Sequence, residues 1–141
     1  MASLLVPVDG SDGSTRAVQS VVHLFAGAPP VKLHLLNVQP PIMSGEVRLF
    51  VSREMIDNYH EEEGERALRP AKALLDEAGV PYTSEILVGH VAETIARCAK
   101  DRHCDQIVMG TRGLGAVAGL LLGSIATKVL HLVDVPVTLV K

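Results

Sequence analysis

Gln106-Ile107-Val108-Met109-Gly110-Thr111-Arg112-Gly113 is followed, after nine intervening residues, by Gly123-Ser124, and then by Ile125, Val129, Leu132 and Val133 at helical intervals. The first four residues are a short apolar run of the kind that forms a buried parallel strand. The glycines therefore sit between a strand and a helix. A helix N-terminus presents backbone N–H groups and partial positive charge, and glycines let the backbone approach an anion closely or take φ > 0 where needed. The stretch reads as a phosphate cradle; read in isolation, it is also compatible with a flexible surface loop.

Toward the N-terminus the same succession of strand, turn and helix recurs. Ser3 to Val8 reads as a buried strand stopping at Asp9, with N-cap candidates from Ser11 to Ser14 ahead of Ala17, Val18, Val21, Val22 and Phe25. Gly27 to Pro30 ends that helix, and Lys32 to Val38 forms a second strand that stops before Pro40-Pro41. A flexible stretch is expected around Gly45. From about Val51 to Ala78 the pattern is helical, with Gly64 and Pro70 predicting a bend or break. Tyr82 to Val88 gives a third strand, Val91 to Ala99 a third helix, and Val135 to Val140 a final strand after the glycine loop and the last helix.

Strands alternating with helices predict an α/β fold in which a parallel sheet is covered by helices on both faces. At 141 residues the chain suits one domain over residues 1–141. Ligands of such open sheets bind at strand carboxyl ends where the direction of winding reverses. Asp9, Val38 and Gly110 all lie at such ends, so one crevice is expected to gather them.

Composition narrows the function. Aromatic residues make up 3% of the chain and the net charge is −3, which argues against a nucleic-acid binder working by base stacking or phosphate neutralisation. Residues 46–66 hold seven acidic and three basic side chains, whereas residues 90–141 hold four and six, so an anionic ligand is better tolerated in the second region. No apolar run approaches the roughly 18 residues of a membrane span, and the N-terminus lacks a signal-peptide pattern. A cytoplasmic protein that binds neither nucleic acid nor membrane is expected. Cys98 and Cys104 are too few for a disulfide framework and read as ordinary reduced thiols.

Val6-Pro7-Val8-Asp9-Gly10-Ser11, Leu36-Asn37-Val38, Met109-Gly110-Thr111-Arg112-Gly113 with Gly123-Ser124, and Val135-Pro136-Val137 together resemble the universal stress protein family, in its ATP-binding branch. The resemblance implies a three-layer, adenine nucleotide alpha hydrolase-like fold, an open twisted sheet of five strands in the order 3-2-1-4-5. It also implies ATP or another adenine nucleotide, with Mg²⁺, across the carboxyl edge. Under that resemblance the nucleotide meets Pro7, Asp9, Val38, Met109, Gly110, Gly113, Gly123, Ser124 and Ile125. Asp9 lies near the ribose or a phosphate-bound Mg²⁺, the Val38 backbone meets the adenine edge, and Gly123, Ser124 and Ile125 offer backbone N–H groups to the phosphates. A homodimer through Val135 to Val140 is implied as well, and an apolar edge strand agrees with it. For Asp9 a simple capping role stays open, and Val38 is also compatible with plain core packing.

Other motifs are weaker. Gly113-Leu114-Gly115-Ala116-Val117-Ala118 fits the dinucleotide fingerprint only loosely, and no P-loop lysine motif is present. His60-Glu61-Glu62-Glu63-Gly64 has glycine where a zinc protease needs histidine and reads as a solvated acidic helix face. His103-Cys104 with Cys98 offers a weak metal-site pattern and reads rather as a surface loop with an incidental histidine; His23, His34, His90 and His131 fall in different elements and read as structural or surface residues rather than ligands. Arg112 and Lys128 could each reach a phosphate but are at least as compatible with a solvated position, and both stay outside the expected site. Since Asp9 is the sole candidate base, a nucleotide-binding switch or sensor acting through a homodimer is favoured over an efficient ATPase. A weak ATPase and a nucleotide-free interaction module of the same fold are the alternatives.

Overall fold

Segments four to nine residues long and rich in aliphatic side chains become five strands, and amphipathic segments between them become helices, in a computed structural model that describes residues 1–26, 30–42, 45–113 and 122–141. In chain order the elements are β1 (Ala2–Pro7), α1 (Asp12–Leu24), β2 (Val31–Gln39), α2 (Gly45–Phe50), α3 (Arg53–Ala78), β3 (Thr83–Val88), α4 (Val91–Asp101), β4 (Gln106–Gly110), α5 (Ser124–Leu132) and β5 (Val137–Val140). The strands form one sheet in the order β3-β2-β1-β4-β5, and every pairing is parallel. The expected order and parallel sense are both found.

The two-residue period of the strands divides the core. Leu4, Val6, Leu33, Leu35 and Val108 pack on one face beneath Ala17, Val18 and Val21 of α1 and Leu68, Ala71 and Leu75 of α3. On the other face, Leu5, Leu36, Ile107 and Met109 pack beneath Ala92, Ile95 and Ala99 of α4 and Ala126 and Val129 of α5. Leu5, Leu35, Leu36, Leu68 and Leu75 are fully buried; truncation of such a leucine to alanine costs about 2–5 kcal/mol. These two apolar layers hold the carboxyl ends of β1, β2 and β4 side by side.

Three local expectations are corrected. Gly45–Phe50 form a short helix, α2, where a flexible stretch was expected. The long helix α3 runs unbroken through Gly64 and Pro70. Pro70 is exposed, as is Arg66 four residues before it, so the carbonyl deprived of its N–H partner lies on the solvent side. Gly64 faces β3, where a Cβ would come within 2.6–2.7 Å of three Ile86 side-chain atoms. Its glycine lets helix and sheet approach, and the helix tolerates the entropic cost. The final strand begins at Val137, with Pro136 contributing only its carbonyl, which accepts from Ile107 N–H at 3.0 Å.

A partly buried polar cluster, with His34 and Cys98 inside it, interrupts the apolar layer under α4. His34 of β2 lies 2.8 Å through Nε2 from Glu85 Oε1 of β3 and 2.6 Å through Nδ1 from Thr83 Oγ1. Cys98 of α4 donates to the same Glu85 oxygen at 3.5 Å, and Arg102 Nε donates to it at 2.7 Å. His34 is thus a built-in member of a network rather than an isolated structural residue. Burial lowers the His34 pKa from its ordinary value, with the Arg102 charge reinforcing and the Glu85 bond opposing. Burial alone raises the Glu85 carboxyl, but the bonds from Arg102, His34 and Cys98 outweigh it and hold the group below its ordinary value. Burial and the Glu85 carboxylate push the Cys98 thiol up to about 12, so it is protonated.

Candidate functional site

The direction of winding reverses between β1 and β4, which are registered at Leu4 with Gln106 and Leu5 with Ile107. Beyond that register their carboxyl ends flank a crevice of about 200 Å³. Pro7, Asp9, Val38, Met109, Gly110, Gly113, Gly123, Ser124 and Ile125 all line it. One cavity therefore gathers every residue expected at the site. The β2 side is fixed by Val8 N–H, which donates to Leu36 O at 2.8 Å, and by the buried Asn37, whose Nδ2 donates to Val8 O at 2.9 Å.

Asp9 begins a tight turn into α1. Its Oδ1 accepts from Ser11 N–H at 2.9 Å and from the Ser11 hydroxyl, while Gly10 takes φ +84. Ser11, not Asp9, caps the helix, with Ser14 N–H donating to its Oγ at 3.3 Å. The carboxylate thus organises the turn, and the turn in turn orients the carboxylate.

The loop glycines act through close approach, since none of Gly110, Gly113 and Gly123 takes a positive φ. A Cβ on Gly113 would sit 2.1 Å from Asp9 Oδ2. One on Gly110 would sit 2.9 Å from the Gly13 carbonyl carbon and oxygen, and one on Gly13 would sit 2.3 Å from the Arg112 carbonyl oxygen. The first turn of α1 and the loop after β4 are stacked backbone on backbone. Gly13 was missed from sequence because a glycine just inside a helix looks like a weak former; its position four residues after Asp9 was the available signal.

At the far wall α5 is preceded by Gly123 at its N-cap, which supplies no side-chain cap. Gly123 N–H itself is spent on Thr111 O, which corrects its expected role as a donor to a ligand. The N–H groups of Ser124, Ile125 and Ala126 have no intrahelical acceptor by helix geometry, and they border the crevice. Lys128 is engaged with the Glu93 carboxylate of α4, whose pKa the lysine bond lowers. Arg112 lines the crevice, as do Ser11, Ser14, Val91 and Ile95, all of them outside the set of residues expected at the site. The dinucleotide-like fingerprint beyond Gly113 lies outside the described residues.

The arrangement combines an apolar slot between Val38, Val91 and Ile95 with a polar end made of a fixed carboxylate, hydroxyls and a helix N-terminus. A family model for universal stress proteins matches residues 1–141. The chain belongs to the universal stress protein family. Universal stress protein MJ0531 of Methanocaldococcus jannaschii is 33% identical over 140 residues, spanning 98% of this chain and 81% of its own length. The solved structure of the hypothetical protein MJ0577 superposes with a TM-score of 0.85 at 28% identity, over 99% of this chain and 95% of that one. A solved universal stress protein in complex with cAMP superposes with a TM-score of 0.71 at 26% identity, over 99% of this chain and 97% of the other. Among the described residues of this universal stress protein, no helix is long and apolar enough to cross a membrane.

Proposed function

We propose that the crevice binds an adenine nucleotide, ATP with Mg²⁺ foremost, and that the protein acts in the cytoplasm as a nucleotide-governed switch or sensor in a stress response. The observation that carries this reading is the uncapped N-terminus of α5 facing the Asp9 turn across a crevice held open by glycine contacts. Ser124, Ile125 and Ala126 supply backbone N–H groups to phosphate oxygens, with the Ser124 hydroxyl beside them. Val38, Val91 and Ile95 supply an apolar slot for a purine ring. The cAMP complex of a family member supports an adenine nucleotide as the ligand class.

Mg²⁺ fits the donor set. The Asp9 carboxylate is a hard oxygen ligand, already oriented by Ser11, and a cation beside it neutralises the phosphates. With no second base assigned to the crevice, the reading is binding rather than rapid turnover. β5 is a sheet edge, and we assign it to pairing with a second copy of the chain. Thr111, inside the glycine loop, donates its N–H to Val140 O at 3.0 Å, which ties ligand-facing backbone to the strand of that interface.

The test is to denature the purified protein, analyse released small molecules by chromatography and mass spectrometry, and titrate the folded protein with ATP-Mg²⁺ and with cAMP by calorimetry. Released or added adenine nucleotide binding at one site per chain is expected. Absence of nucleotide together with no heat of binding for either ligand refutes the reading.

A further inference from the structure

We propose that His34, Glu85 and Cys98 form a binding site for a thiophilic divalent cation of the zinc class, beneath α4 and separate from the crevice. One ligand atom from each residue lies within 4.8 Å of the other two. A tetrahedral zinc site with bonds of about 2.0–2.3 Å sets neighbouring ligand atoms about 3.4 Å apart. The separations of 2.8 Å from His34 Nε2 to Glu85 Oε1 and 3.5 Å from Cys98 Sγ to the same oxygen bracket that value. Imidazole nitrogen, carboxylate oxygen and thiolate sulfur are the three donor types that zinc accepts.

Without a cation, protons hold the donors together, and Glu85 Oε1 is overcommitted. It accepts from His34, Cys98 and Arg102 at once, three donors for the two lone pairs of one carboxylate oxygen. A cation replaces two of them. The Cys98 S–H bond breaks, its proton leaves to solvent, and sulfur bonds the metal. The neutral imidazole changes tautomer, its single proton passing by exchange with solvent from Nε2 to Nδ1, which leaves the Nε2 lone pair for the metal and lets Nδ1–H donate to Thr83 Oγ1, already 2.6 Å away. An outer hydrogen bond of that kind fixes the tautomer of a metal-bound histidine. Arg102 is half-exposed and swings to the second Glu85 oxygen or to water.

A cation has an entry path. A cavity of about 310 Å³ at the amino ends of β1 to β3 is lined by His34, Thr83, Arg102, Cys104 and Ser3. Of the three ligands it borders His34, and it supplies room for water as the fourth ligand. The sequence hid this site because its ligands come from three elements, and separations of 51 and 13 residues match no linear metal motif.

The experiment uses full-length protein stripped with a chelator and titrated with Co²⁺, then with Zn²⁺ in competition with a chromophoric chelator. One equivalent of Co²⁺ should give tetrahedral ligand-field bands and a thiolate-to-cobalt charge-transfer band, displaced by one equivalent of Zn²⁺ with release of about one proton near neutral pH. Cys98→Ser should abolish the charge-transfer band, and Glu85→Gln should weaken Zn²⁺ at least 100-fold. Thr83→Val should weaken it about 10-fold, with Thr83→Ser restoring it. Thr83 serves as a positioning residue, and its variants keep the test valid if Cys98→Ser proves poorly folded by circular dichroism. No charge-transfer band in the parent protein, or an unchanged band or Zn²⁺ affinity in well-folded Cys98→Ser, overturns the assignment.

Discussion

Replacing Gly113 by alanine is the sharpest probe of the crevice, because the added atom has one identifiable victim. Its Cβ would lie 2.1 Å from Asp9 Oδ2, whereas a relaxed carbon-to-oxygen contact needs about 3.3 Å, a shortfall of about 1.2 Å. Either the carboxylate rotates away, losing the bonds from Ser11 N–H and hydroxyl, or the loop lifts by a comparable distance. A hydrogen bond to a charged group contributes about 1.5–3 kcal/mol, so loss of the preorganised carboxylate should weaken ATP-Mg²⁺ binding by about 10- to 100-fold. Gly113 is exposed and outside both core layers, so the unfolding midpoint should move little. The double variant decides the mechanism. With Asp9→Ala in place the new methyl group has nothing to displace, and Gly113→Ala should then cost almost nothing further. Calorimetric titration of the four proteins closes the cycle. Independent, additive losses from the two substitutions, or unchanged affinity in Gly113→Ala alone, would refute the reasoning.

Three further outcomes are expected. Pro70→Ala returns an N–H to the Arg66 carbonyl on the exposed side of α3 and should raise stability by about 1–3 kcal/mol in urea unfolding; no gain would mean that the helix has adapted fully to its proline. Acid should destabilise the metal-free protein in two stages. His34 is held below its ordinary value of 6.5, so the unfolded chain takes up that proton first and stability falls as pH drops below 6.5. Glu85, held below its ordinary 4.5, adds a second loss as pH falls below that value through its folded one; a flat urea midpoint from about pH 8 to about pH 5 would refute the first stage. Finally, the bonds to Pro136 O and Val140 O turn those residues toward β4 and, by alternation, turn the Val137 and Leu139 N–H groups outward. Leu139→Pro should therefore yield a folded monomer by light scattering, and persistence of a dimer would place the interface elsewhere.

Much of this was readable in the sequence because short-range chemistry agreed with long-range packing. Apolar runs bounded by Asp9, Pro40 and Gly110 marked the strand ends, and alternation with helices then left few topologies. The errors arose where tertiary contact overruled a local signal. Gly64 and Pro70 suggested a bend or a break, but the helix is continuous through both, one facing Ile86 and the other water. Gly45 suggested flexibility but starts a helix. At the crevice the glycines announced themselves, whereas Val91 and Ile95 carry no mark that distinguishes a lining residue from core. Only the packing of α4 on the sheet brings them there.

The stacking of Gly13, Gly110 and Arg112 has a consequence for how such a protein diversifies. Where main chain rests on main chain, the gap is set by bond lengths and van der Waals radii, which no ordinary substitution alters. Changes at Val38, Val91, Ile95 and Ile125 can then retune which ring is accepted while the anion end stays in register. Frame and preference are inherited separately, and a lineage is free to explore one without risking the other.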